Sequence, residues 1–252
     1  MNLSLITACY NSASTLGETL ESVRFQRDVS LEYLLIDGGS SDGTCALIQR
    51  EASRQLTVVS RWLSEPDDGI YDALNKGIHL ATGDVVGFLH ADDVFAHECV
   101  LQRVAACFED PSVTACYGDL EYVWRNDSAS VARYWRAGEF DVGRLRRGWM
   151  PPHPTLYVRR AWYEIHGGFD VSYKISADYD LVLRLLSSRP EKVIYLPEVL
   201  VRMRTGGLSN GSLGNILRKS AEDYRALRTN QIGGWGALVW KNLSKLGQFV
   251  SR

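Results

Sequence analysis

Three aspartates carry the most chemical information in this sequence: Asp92, Asp93 and Asp178. Asp92 and Asp93 end the stretch Gly83-Asp84-Val85-Val86-Gly87-Phe88-Leu89-His90-Ala91-Asp92-Asp93. A short apolar run bounded by Gly and Asp reads as a buried central strand. The two carboxylates follow where that strand must leave its sheet, and open α/β sheets bind ligands at the carboxyl ends of their strands. Adjacent acids repel, and a divalent cation would relieve the repulsion. Asp oxygens suit a hard ion such as Mg²⁺ or Mn²⁺. The competing reading makes Asp92 a helix cap and Asp93 a solvated turn residue. Asp178 opens a later helix with apolar positions Leu181, Val182, Leu185 and Leu186. A helix N-terminus favours an acid by its dipole alone, so a first-turn role competes with a chemical one there too.

The elements that must position these acids begin with a strand over residues 3–10 and a helix behind Thr15-Leu16-Gly17-Glu18, which has the form of a capping box. A second strand over 33–36 runs into Asp37-Gly38-Gly39-Ser40-Ser41-Asp42-Gly43-Thr44, where glycines permit tight turns and acids face the same edge as Asp92 and Asp93. Residues 57–59 read as a third strand. Pro66 and Gly69 force a turn before a helix on Ile70, Ala73, Leu74 and Ile78. On that helix Asp72 and Lys76 lie four apart, as in a solvated ion pair. This β-α alternation predicts a mainly parallel sheet covered by helices.

Past residue 113 the alternation stops. Strands are expected over 114–117, 120–124 and 131–135, with a hairpin turn at 125–128. Residues 136–152 read as a mobile basic loop carrying Arg144, Arg146 and Arg147. Further strands follow over 155–158, 193–196 and 199–203, with a short helix over 159–165. A polar helix spans 216–227. The tail, 235–252, is amphipathic: Trp235, Leu238, Val239, Leu243, Leu246 and Val250 share a face opposite Lys241, Lys245 and Arg252. It reads as a helix docked on the domain or a partner, or as one lying on a membrane surface.

The chain has 252 residues and a net charge of −2, which gives no basic field for nucleic acid. Its five cysteines are scattered without a C-x-x-C pair, as expected in a reducing, cytoplasmic setting without zinc. A strand pattern from Leu3 leaves no room for a signal peptide, and no apolar run is long enough for a bilayer.

In order, Tyr10-Asn11, the Asp37 to Thr44 run, Asp68-Gly69-Ile70-Tyr71-Asp72-Ala73-Leu74-Asn75-Lys76-Gly77, Ala91-Asp92-Asp93 and Ala177-Asp178-Tyr179-Asp180 resemble the family 2 glycosyltransferases. The resemblance covers about residues 3–210, nearest to bacterial enzymes of exopolysaccharide, O-antigen or colanic-acid assembly. It implies the GT-A fold: a Rossmann-like, mainly parallel sheet flanked by helices, with a small acceptor-side region. The expected division is a nucleotide-sugar half (1–110), an acceptor-side half (111–210) and a C-terminal helical extension (211–252).

By the same resemblance Thr7, Ala8 and Tyr10 line the nucleotide pocket and Asp37 bonds the base, which favours UDP. Gly69 and Asp72 lie along the ribose. Asp92 faces the ribose and Asp93 a metal-bound diphosphate. Asp178 is the general base of a Glu-Asp motif in which Ala177 replaces the Glu. The loop from Arg204 to Ser209 resembles the segment that closes over the diphosphate, with Arg202 and Arg204 where the family often has His. His153 flanks the acceptor side, as structural residue or contact. The implied reaction is inverting transfer from a nucleotide-sugar to a saccharide, expected on a polyprenyl-diphosphate carrier, with peripheral membrane contact through 235–252. Two other readings stay open. A sugar-nucleotide pyrophosphorylase would want a glycine-rich loop after the first strand, which Thr7-Ala8-Cys9-Tyr10-Asn11 lacks. A non-catalytic binding subunit would not need Asp92, Asp93 and Asp178 intact.

Overall fold

The structure, a computed structural model, describes residues 1–125, 127–206 and 213–244. Four strands form its parallel half: β1 (Leu3–Cys9), β2 (Leu31–Asp37), β3 (Arg61–Ser64) and β4 (Val85–Phe88). They are joined by α1 (Leu16–Arg24), α2 (Thr44–Ala52) and α3 (Ile70–Leu80). The register sets Cys9 beside Asp37, Asp37 beside Ser64 and Ile6 beside Phe88, so all four carboxyl ends share one edge. β1, β2 and β4 are almost wholly buried, as strands covered on both faces must be.

The rest of the sheet is mixed. After β5 (Val94–Phe95) and α4 (Val100–Cys107) come β6 (Val113–Trp124), β7 (Asp127–Trp135), α5 (Val142–Leu145), β8 (Tyr157–Arg159) and α6 (Arg160–His166). Then follow α7 (Ala177–Ser187), β9 (Lys192–Arg204), α8 (Leu213–Thr229) and α9 (Trp235–Ser244). The order across the sheet is β3-β2-β1-β4-β8-β6-β9-β5, with β7 on β6. Among the described residues, no helix is long and apolar enough to cross a membrane.

Several expectations need correction. The third strand starts at Arg61, not Thr57. Val59 is anchored in the core, while Ser60 bonds Tyr33 and Leu34 pairs with Arg61, so the partner strand sets the register. Charge at Arg61 suits an edge strand. The two strands expected before Trp124 are one, with bulges at Gly118 and Asp119; a bulge bends a strand without ending it. Residues 192–204 likewise form one strand.

Residues 136–152 are built rather than loose. Arg144 donates to the Ala137 carbonyl at 3.0 Å and lies over the Trp149 ring, and Leu145 is fully buried. Gly148, at φ +81°, leaves its Cβ position 2.6 Å from the Ala237 carbonyl, so this segment meets α9 backbone to backbone. The capping box at Thr15 does not form. Thr15 Oγ1 donates to the Ala91 carbonyl at 2.9 Å, and Glu18 pairs with Arg204.

The tail helix also differs from its pattern. Leu238 is buried, but Trp235 and Val239 are exposed, and Lys241 is only 3% exposed. Asn126, residues 207–212 of the expected diphosphate loop and its sequel, and the tail beyond Ser244 lie outside the described residues.

Candidate active site

At the common carboxyl edge, β1 and β2 hand over to two loops that knit together. Asn11 N–H donates to Ser40 Oγ at 2.8 Å, Ser12 N–H to Thr44 Oγ1 at 2.8 Å, and Ala13 N–H to Asp42 at 3.0 Å. Tyr10 stands at the rim, 66% exposed. Thr7 points inward: its hydroxyl donates to the Leu89 carbonyl at 2.6 Å and meets Tyr33 OH at 3.0 Å. Thr7 thus ties β1 to the strand exit that carries the acid pair. Ala8 is buried beside it.

Asp37 is fully buried, and Ser40 and Ser64 occupy both its oxygens. It shapes the loop it opens. Gly69, at φ +113°, turns the chain into α3, a conformation open to glycine at little cost. Asp72 accepts from Asp68 N–H and lies 3.4 Å from Lys76, whose closer partner is Glu65 at 2.8 Å. The ion pair read from the sequence is therefore present.

Asp92 is half-buried; Asp93 is 1% exposed, and neither of its carboxylate oxygens has a hydrogen-bond partner. Burial pushes the Asp93 carboxyl well above its usual range. The Asp92 charge adds to the rise and Arg204 opposes it. Arg204 reaches this turn from the end of β9, bonding the Asp92 carbonyl with one arm and Glu18 with the other. Arg202 is engaged by Glu121 at 3.1 Å. An orphaned carboxylate at a strand exit fits a hard cation. Among the described residues no cluster of three or more His, Cys, Asp or Glu side chains forms a complete cage. That suits an ion of the kind that takes one or two carboxylates and completes its shell with water and substrate phosphates.

Asp178 arrives from α7, and two elements fix the approach. Tyr71 of α3 donates to the Ile175 carbonyl at 2.6 Å, and Asn75 bonds Phe169 N–H and C=O. From α8, Glu222 accepts from the N–H groups of Lys174, Ile175 and Ser176. Asp178 Oδ1 accepts its neighbour Tyr179's N–H at 2.8 Å. Burial raises its carboxyl above the usual range; the Lys241 charge is the largest effect pulling the other way. Asp93 and Asp178 both act electrostatically on Tyr122, and Asp92 and Asp178 both act on His90. The two acid sites therefore lie within electrostatic reach of the same residues.

His153 does not stand on the surface. It is 5% exposed in a 3-10 turn (His153–Thr155), stacked on Phe88 and 6.1 Å from His90, ring centre to ring centre. Burial drives its imidazole down to about 3, so it is neutral at physiological pH. Its Nε2 and His90 Nδ1 lack partners. Sequence reasoning assigned no role to His90, Tyr71, Glu222 or Asp223. Tyr71 lay within a quoted motif and His90 beside the acids, but α8 gave no signal beyond helical spacing.

The model of "Glycosyl transferase family 2" matches residues 4–166. A "PGL/p-HBAD biosynthesis glycosyltransferase" of Mycobacterium tuberculosis is 32% identical over 212 residues, 82% of this chain and 78% of the relative. The chondroitin synthase of Pasteurella multocida is 26% identical over 183 residues, covering 73% of this chain and 18% of that protein. Among solved structures, S. aureus TarS 1-349 in complex with UDP-GlcNAc superposes with TM-score 0.70 at 17% identity, over 91% of this chain and 65% of that one. The mannosyltransferase PcManGT of Pyrobaculum calidifontis, in complex with GDP-Man and Mn²⁺, gives 0.65 at 20% identity, over 90% and 63%. The fold is thus GT-A. The chain belongs to glycosyl transferase family 2, and it spans under two thirds of either structural relative.

Proposed function

We propose that the protein is an inverting, metal-dependent glycosyltransferase. It moves a sugar from a nucleoside-diphosphate sugar, with UDP favoured, to a saccharide acceptor on a lipid-diphosphate carrier in cell-surface glycoconjugate synthesis. The observation that carries this reading is the buried, unpartnered Asp93 carboxylate at the carboxyl edge of the parallel sheet. Asp178 acts with it on Tyr122. The relatives' bound UDP-GlcNAc and GDP-Man support a nucleotide-sugar donor.

The donor lies along the carboxyl edge, with Tyr10 at the base and Gly69 and Asp72 toward the ribose. Asp37 holds the loop that borders the base. Asp93, with Asp92 beside it, would hold Mg²⁺ or Mn²⁺, which supplies Lewis-acid stabilisation of the departing diphosphate. Arg204 fixes the turn that presents both acids. The acceptor hydroxyl attacks the anomeric carbon from the face opposite the diphosphate. Its oxygen forms the new C–O bond, the bond to the phosphate oxygen breaks, and its electron pair leaves with the diphosphate. The hydroxyl proton passes to Asp178. The transition state is oxocarbenium-like, as in glycoside hydrolysis. Arg202 and His153 border the acceptor side at a distance, as structural residues. The exposed Trp235, Val239 and Trp240 of α9 are the side chains that would touch a membrane carrying the acceptor.

Calorimetric titration of UDP, GDP and dTDP, with and without Mn²⁺, tests the donor half on wild type and Asp93→Ala. The expected result is metal-dependent binding of one nucleotide, lost in the variant. No binding of any of the three overturns the reading.

A further inference from the structure

The sequence puts Lys241 on the charged face of the tail helix, yet the fold buries it. Its Nζ lies 2.8 Å from Asp223 of α8 and 3.1 Å from the centre of the Tyr179 ring. Tyr179 is the neighbour of Asp178 and donates its N–H to that carboxylate. Asp223 is also buried, and its second oxygen lacks a partner. Such a pair is a poor choice for stability alone, because apolar residues of the same size usually serve as well or better. The buried pair, the ring beneath it and the adjoining acid therefore form a built constellation. Asp223 and Lys241 lie beyond residues 4–166, which the family model matches.

We infer that Lys241 is a positioning residue for the base: clamped to Asp223 over Tyr179, its ammonium sets the first turn of α7 and gives the Asp178 carboxylate a buried cation. This rests on the reading of Asp178 as the base. It makes α9 part of the catalytic unit, where the sequence suggested an extension.

The surroundings of Asp178 leave that cation a clear task. From α3 it faces Tyr71, whose phenol burial keeps neutral; from the β4 exit, His90; from β6, the neutral Tyr122. From α8 come Asp223, which disfavours the carboxylate, Lys219, which favours it, and Glu222, whose oxygens are committed to three backbone N–H groups. Lys241 from α9 is the largest favourable charge among them. Burial lowers its own ammonium to about 8, which still leaves it charged at neutral pH.

The test follows the Asp178 carboxyl directly, by ¹³C NMR titration of the full chain, the resonance being identified by its loss in Asp178→Asn. Lys241→Met should raise the midpoint by about one pH unit, a tenfold change in proton affinity. Lys241→Arg, which keeps the charge, should leave it within a few tenths of wild type. The acid limb of turnover, read as UDP release from UDP-glucose and UDP-GlcNAc, should move in the same direction. A merely structural lysine would change melting temperature without moving this midpoint. An unchanged midpoint in Lys241→Met overturns the inference. If that variant does not fold, an unchanged midpoint in Lys241→Gln does so. The base reading fails separately, if Asp178→Asn retains turnover.

Discussion

Arg204 Nη1 lies 2.6 Å from the backbone oxygen of Asp92, while Nη2 of the same guanidinium lies 2.5 Å from Glu18. One buried side chain thus joins the end of β9 to α1 and to the turn that presents both acids. Partners one step removed from a ligand set its orientation, and their loss typically costs ten- to a hundredfold in affinity. Arg204→Met should therefore weaken Mn²⁺-dependent nucleotide binding by about tenfold or more. Calorimetry on the folded variant checks this; unchanged affinity would show that the turn holds itself.

Asp178→Asn should lower kcat by roughly 10²–10⁴, the range that proton transfer to a positioned base supplies. Donor affinity should be preserved, since Asp178 belongs to α7 and the donor edge to β1–β4. Turnover and nucleotide titration on one preparation separate the two quantities.

The pH dependence has a definite sign. Burial raises the Asp178 carboxyl above the ordinary carboxylate range, and only its ionised form can accept a proton. Activity should fall as pH drops through that raised value, so the acid limb should lie above about 4, the usual Asp value. A kcat–pH profile with its limb at the unperturbed position would contradict the burial.

Asp119 makes a stability prediction outside the site. It is 1% exposed and accepts from Tyr134 OH, the Ala137 N–H and Tyr195 OH, tying β6, β7, the following turn and β9 together. Asp119→Ala should strand these donors and cost about 3 kcal/mol in urea unfolding. A loss under about 0.5 kcal/mol, the level of an ordinary surface change, would mean that water replaces the carboxylate.

If the outer face of α9 meets a membrane, Trp235→Ser and Trp240→Ser together should reduce co-sedimentation with anionic lipid vesicles. Both side chains are more than half exposed, and because Trp235 also stacks on Tyr224 of α8, with ring centres 4.3 Å apart, a melting curve on the variant checks that the fold is kept. Equal sedimentation of variant and wild type would count against the contact.

The acid pair was legible in the sequence because an apolar strand, a glycine boundary and two adjacent carboxylates are all local features. Asp178 was legible as a helix-opening acid in a family motif. Thr15 and Glu18 misled because a capping box is a local pattern, and here both side chains serve tertiary partners, Ala91 and Arg204. Val58 and Val59 looked more like a strand than Arg61, yet pairing with β2 decided the boundary. Lys241 was misread for a related reason. Helical spacing says which residues share a face, but not which face finds a core, and α8 with residues 141–149 settled that. Thr7 and Asp37 were expected to line the nucleotide pocket and bond the base by resemblance alone, and only the fold reveals that their polar atoms are already engaged.

The unpartnered Asp93 carboxylate has a thermodynamic corollary. Folding leaves one local conflict unresolved, and in the proposed function the group that resolves it comes with the substrate. The native state alone is then not the most stable form available to the chain. A ligand that binds only the folded protein at a hundred times its dissociation constant adds about 2.7 kcal/mol. Saturation with donor nucleotide and cation should therefore harden the whole domain against heat and proteolysis, so substrate supply would set how long the protein survives.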